Sequence, residues 1–168
     1  AIYARAQVAG RPMPPPTEEL AQRLHDHGIG LALEAFRAGR SLVGVMGGHT
    51  LARGSQRYRT VVDLGRRLAL AGHTVTTGGG PGAMEAANLG AASAPLDADI
   101  LDRSLARLTD HPSFGVVADG FVGGGLEVVA RLEADARAIG TTLGTSLSVP
   151  TWFYGHEPTN PFASHIAK

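Results

Sequence analysis

The chain has 168 residues, 15 basic and 15 acidic side chains, and no cysteine. That length suits one domain with a sizeable core. Zero net charge gives no basic surface for nucleic acid, and without cysteine there are no disulfides and no thiolate chemistry. No apolar run is long enough for a bilayer span and no signal peptide is visible. A cytoplasmic protein with no membrane or nucleic-acid partner is expected. The 23 glycines are about twice the usual ~7% share. They cluster after apparent strands, which suits an α/β fold with backbone-lined ligand loops.

Residues 1–16 carry Pro12, Pro14, Pro15 and Pro16, which exclude helix and favour an extended lead-in. Thr17 is a candidate cap, with Glu18 and Glu19 near the positive end of the helix that follows. Residues 17–27 and 29–39 read as two helical pieces around Gly28 and Gly30, with Gly39 as the stop. In His25-Asp26-His27 a helix would point adjacent side chains apart, and no third ligand lies nearby, so no metal is expected.

Leu42-Val43-Gly44-Val45-Met46 is a continuous apolar run, the pattern of a parallel strand buried on both faces. Gly47-Gly48-His49-Thr50 follows. His49 and Thr50 are candidate hydrogen-bond donors to a ligand, and His49 is equally a candidate cap for its own loop. Residues 55–71 form the clearest helix, with Tyr58, Val61, Val62, Gly65, Leu68 and Ala69 on one face. Gly72 ends it, and the β-branched run 73–77 is the next strand. Strand, helix and strand make a βαβ unit with parallel strands and a right-handed crossover.

The densest signal comes next. Gly78-Gly79-Gly80-Pro81-Gly82 separates that strand from a helix-forming run, 83–92. Glycine lets the backbone turn sharply and approach a ligand, and proline fits the first turn of a helix. A helix N-terminus fronted by glycines is a ready anion site. In an open parallel sheet ligands sit at the C-terminal strand ends, so the 47–48 and 78–82 turns should face one crevice. On that logic Gly79→Val or Gly82→Val should abolish nucleotide binding and spare the fold.

Pro95 breaks the chain, and residues 97–109 make a helix with Leu101, Leu105 and Leu108 as its stripe. Phe114-Gly115-Val116-Val117 is a candidate strand. Gly123-Gly124-Gly125 precedes a helix running to about Ile139 and is assigned no ligand. A strand is expected near 147–149. Trp152, Phe153 and Tyr154 then either stack on a base or close the core edge. Phe162, Ala163 and Ile166 show helix-like spacing, and the chain is expected to be a piece of a longer one.

Three strings together resemble the Lonely Guy family, often labelled as possible lysine decarboxylases. They are Val43-Gly44-Val45-Met46-Gly47-Gly48-His49, Leu64-Gly65-Arg66-Arg67-Leu68-Ala69, and Gly78-Gly79-Gly80-Pro81-Gly82-Ala83-Met84-Glu85-Ala86-Ala87-Asn88. Glu157-Pro158-Thr159-Asn160-Pro161 is similar to the longer bacterial branch, the nucleotide 5′-monophosphate nucleosidases. The resemblance implies a Rossmann-like three-layer α/β sandwich with a mostly parallel sheet. It would occupy residues 41–168 behind an N-terminal extension, 1–40, and assemble as a homodimer. It also implies hydrolysis of the N-glycosidic bond of a nucleoside 5′-monophosphate, with no cofactor. A carboxylate would stabilise the oxocarbenium-like sugar. Carried over by position, Gly47, Gly48, His49, Gly78, Gly79, Gly80, Gly82, Met84 and Asn160 bind nucleotide, and Glu85 is the candidate acid. The family's second signature, Pro-Gly-Gly-x-Gly-Thr and a following glutamate, is not in this sequence, and Gly123-Gly124-Gly125-Leu126-Glu127 does not replace it. A non-catalytic nucleotide-binding or sensor module of the same fold is the alternative. A dinucleotide oxidoreductase ranks below both, since no acid ends a following strand to hold a ribose.

Overall fold

The computed structural model describes residues 15–115, 119–150 and 159–167. In chain order these form α1 (Pro16–Arg37), β1 (Ser41–Val45), α2 (Gln56–Leu70), β2 (His73–Thr77), α3 (Ala83–Ala92), α4 (Ala98–Leu108), α5 (Asp119–Ala138), β3 (Ser146–Ser148) and β4 (His165–Ile166). The strands make one all-parallel sheet in the order β1-β2-β3-β4. Together with its five helices it is a Rossmann-like α/β sandwich.

Two helices share one face of the sheet and lie against each other. Gly65 and Gly90 make this possible. A Cβ on Gly65 would stand 2.2 Å from the Ala87 carbonyl oxygen, and one on Gly90 would stand 2.0 Å from that of Val62. Only glycine lets α2 and α3 approach this far. Ala87 and Ala91 of α3 pack on Val75 of β2 beneath. Beyond them α4 and α5 close the larger core, built on Tyr58, Val62, Leu89, Leu101, Leu108, Val128 and Leu132. The other face is thinly covered. There α1 lines a small cavity with Ile29, Leu33 and Phe36 against Leu147 and Ile166, and the Phe36 ring meets that of His165 at 4.6 Å.

That asymmetry corrects several expectations. Strand β1 is not buried on both faces: Leu42 is 39% exposed and Gly44 is open, because nothing described covers the far side of this edge strand. Helix α1 is one helix, not two. Gly28 and Gly30 sit inside it with open space around them, so their helix cost of about 1 kcal/mol each is not enough to break it. It buries none of its residues. Residues 123–125 do not precede a helix but lie within α5. The apolar residues near 162–166 lead into strand β4 rather than a helix. Phe114 and Gly115 carry no regular structure. Pro16 opens α1 and Pro15 stands at its N-cap, so Thr17 lies inside the helix and is not its cap, because proline fits the first helical turn. Residues 1–14, 116–117 and the aromatic 152–154 run lie outside the described residues. No described helix is long and apolar enough to cross a membrane.

Candidate functional site

Both glycine turns leave the C-terminal ends of adjacent parallel strands, and they pack directly on one another. Gly47 and Gly48 have φ of 82° and 64°, Gly79 and Gly82 of 73° and 72°. The Gly48 carbonyl accepts from the amides of Leu51 and Ala83, both at 3.1 Å. A Cβ on Gly82 would lie 2.2 Å from the Gly48 oxygen. The turns therefore touch each other directly. The strand order also never reverses, so the described sheet has no switch point of the kind that usually opens a ligand crevice. Gly82→Val would strike this backbone contact first and is not a clean probe of ligand binding, contrary to the expectation from sequence.

The predicted residues occupy distinct places. Gly47, Gly48 and His49 are exposed, beside the turn at 78–82. Gly78 and Gly80 rest on Met84, with a Cβ on each meeting its sulfur or methyl at 3.3 and 2.5 Å. Met84 thus forms a nearly buried floor beneath the turn. Gly79 has both backbone groups engaged: its amide donates to Thr77 Oγ1 (3.1 Å) and its carbonyl accepts from the Asn160 amide (3.3 Å). Asn160 is only 1% exposed.

Helix α3 begins at Ala83 with no side-chain cap. An α-helix leaves its first amides without intrahelical partners. Ala83 gives its proton to Gly48 and Ala86 to Gly82. Among the described residues nothing accepts from the amides of Met84 and Glu85. Two amides without a described acceptor thus lie at the positive end of a helix, Met84 nearly buried and Glu85 fully so.

Glu85 itself is fully buried. Arg53 Nε donates to its Oε2 at 3.0 Å and Nη2 donates to Oε1, while the Tyr58 hydroxyl donates to Oε2 at 3.0 Å. Arg53 is the residue that sequence reasoning missed. It lies a few residues beyond the 47–48 turn, and its Nη1 donates to the carbonyls of Phe121 (2.9 Å) and His111 (3.4 Å). Its amide donates to Pro112, and its guanidinium stacks on the Phe121 ring at 3.5 Å. One side chain thereby ties the first turn to α3, to α5 and to the loop before it. Its position in the sequence resembled that of any other arginine; only the surrounding partners mark it.

Burial pushes the Glu85 carboxyl above its ordinary range, while the Arg53 charge and the hydrogen bonds from Arg53 and Tyr58 pull it down. Burial and the neighbouring Glu85 carboxylate hold the Tyr58 hydroxyl well above its usual value, so it stays neutral. A Glu⁻–Arg⁺ pair carries no net charge. The acid in the first turn of α3 therefore does not cancel the field that the helix presents to an anion.

Residues 40–95 match the SLOG cluster4 family. SLOG denotes the SMF/DprA–LOG superfamily, and the match supports that superfamily without singling out its Lonely Guy branch. The matched span is about one third of the chain. It carries β1, α2, β2 and α3, and so holds both glycine turns and both partners of the buried ion pair. No curated protein matches the chain.

Proposed function

We propose that the protein binds a nucleoside 5′-phosphate at the paired turns, with the phosphate at the uncapped N-terminus of α3 and the exposed 47–49 turn beside it. The observation that carries this reading is the N-terminus of α3, which has no side-chain cap and is fronted by Gly80 and Gly82. The SLOG match is compatible with a nucleotide-related role. Calorimetric titration with AMP, GMP and adenosine tests it. Binding of the two monophosphates with little or no binding of adenosine is expected, and adenosine binding as tightly as AMP would refute the phosphate assignment.

Hydrolysis of the N-glycosidic bond is a second reading, favoured by the Gly78-to-Asn88 string. It needs a carboxylate at the sugar, to orient water and stabilise the oxocarbenium-like state. Glu85 has both oxygens committed to Arg53 and Tyr58. In this arrangement the acid of the motif acts as a brace, which favours the binding module over the hydrolase. Release of free base from AMP, lost in Glu85→Gln, would reverse that order.

A further inference from the structure

Below the 78–82 turn lies a closed ring of hydrogen bonds. The Gly79 amide donates to Thr77 Oγ1 (3.1 Å), and the Thr77 hydroxyl donates to Asn88 Oδ1 (2.7 Å). Asn160 Nδ2 donates to the same Asn88 oxygen (2.8 Å), and the Asn160 amide returns to the Gly79 carbonyl (3.3 Å). Thr77, Asn88 and Asn160 are each at most 1% exposed. The directions of the bonds follow from one fixed donor. The Phe162 amide points at Asn160 Oδ1 (3.0 Å), so that atom must be the oxygen and the other end of the amide must donate. Asn88 must then present its oxygen, and Thr77 must spend its only proton on it. Ser148, 3.2 Å from Thr77 Oγ1, is left to donate to Thr77. Among the described residues, Asn88 Nδ2 finds no acceptor.

The ring joins four places in the fold: the end of β2, the glycine turn, the middle of α3 and the segment entering β4. We infer that Thr77, Asn88 and Asn160 are positioning residues that clamp Gly79 by both its backbone groups, so that the turn and the segment from residue 159 onward move together. Asn160 then serves the nucleotide site through Gly79, without touching the ligand. Gly79 is a hinge rather than a phosphate donor, and the ligand is left to the neighbouring amides. This rests on the phosphate reading above. By linkage, a ligand that orders the turn also orders the segment.

Thr77→Val keeps the shape and removes the hydroxyl, and Thr77→Ser restores it. Amide hydrogen exchange at Gly79 and Asn160, with and without AMP, is measured alongside AMP affinity, at a temperature where each variant is folded. In Thr77→Val, exchange at both amides should quicken and AMP affinity should fall about tenfold, near the worth of one buried hydrogen bond. Thr77→Ser should recover both. AMP should slow exchange at Asn160 in the native chain and not in Thr77→Val. If Thr77→Val fails to fold, Asn160→Ala takes its place with the same expectation at Gly79. Unchanged exchange at Gly79 in the folded variant would overturn the clamp, as would exchange at Asn160 indifferent to AMP in a native chain that binds it. If the native chain takes up no AMP, the phosphate reading falls, and the Gly79 exchange comparison alone decides the clamp.

Discussion

The glycines at 78–82 and those at 120–125 look alike in the sequence and differ in what they leave room for. In the first group Gly79 and Gly82 hold positive φ, and the chain reverses from strand to helix. In the second, none has positive φ, because all lie in α5. There the missing side chains admit neighbours. The His111 ring lies over Gly120 and Gly124, one turn apart, where a Cβ would come within 2.7 and 2.8 Å of it. Pro161 and the Arg53 guanidinium lie over Gly125, at 2.8 and 3.2 Å from such an atom. A glycine cluster thus reports close approach, and only its φ angles tell whether the backbone itself turns.

Arg53 connects the two regions, so its loss is expected to have the largest effect. Arg53→Ala leaves the Glu85 charge buried without its partner, which should cost about 3–5 kcal/mol. Urea denaturation measures it. The Arg53→Ala/Glu85→Ala double variant should lose less than the sum of the two single ones, because the stranded charge is gone.

Next in size is Gly82→Ala. Both the positive φ and the contact with the Gly48 carbonyl oppose a side chain, at a cost of about 3 kcal/mol from backbone strain and overpacking together. Gly125→Ala meets a proline ring and a guanidinium rather than backbone, and should cost about 1–2 kcal/mol. Gly123→Ala has no neighbour within 4 Å and should stabilise α5 by about 0.5–1 kcal/mol. If Gly123 and Gly125 responded alike, α5 would not pack as described.

The subtlest expectation concerns pH. Because burial raises the Glu85 carboxyl, the folded chain holds that proton more firmly than the unfolded one. Its contribution is complete below the ordinary value of 4.5 and is lost as pH rises through the raised folded value. Relative to Glu85→Gln, the native chain should therefore lose stability as pH rises from the ordinary value of 4.5 through the raised folded value, read as urea midpoints at a series of pH values. A rise over that range would show that attraction to Arg53 outweighs burial.

Periodicity and composition carried most of the fold. The apolar face of α2, the β-branched run of β2 and the glycine-proline start of α3 are local patterns, and their order alone implies parallel strands. The bounds of α4 and β3 fell within a residue or two of expectation. What failed was the cover of β1, which depends on distant segments, and some helix bounds: two glycines did not divide α1, and 123–125 lie inside α5 rather than before it.

The site divides in the same way. Two glycine turns at neighbouring strand ends, and a helix that starts at the second of them, were legible along the chain, because chirality and backbone geometry act over a few residues. What their neighbours do follows from long-range packing. Glu85 met Arg53, 32 positions away, and became a buried pair. Asn160 met Asn88, 72 positions away, and closed a ring around Gly79. Those roles depend on which segments pack together, and packing at that distance leaves no periodic trace along the chain.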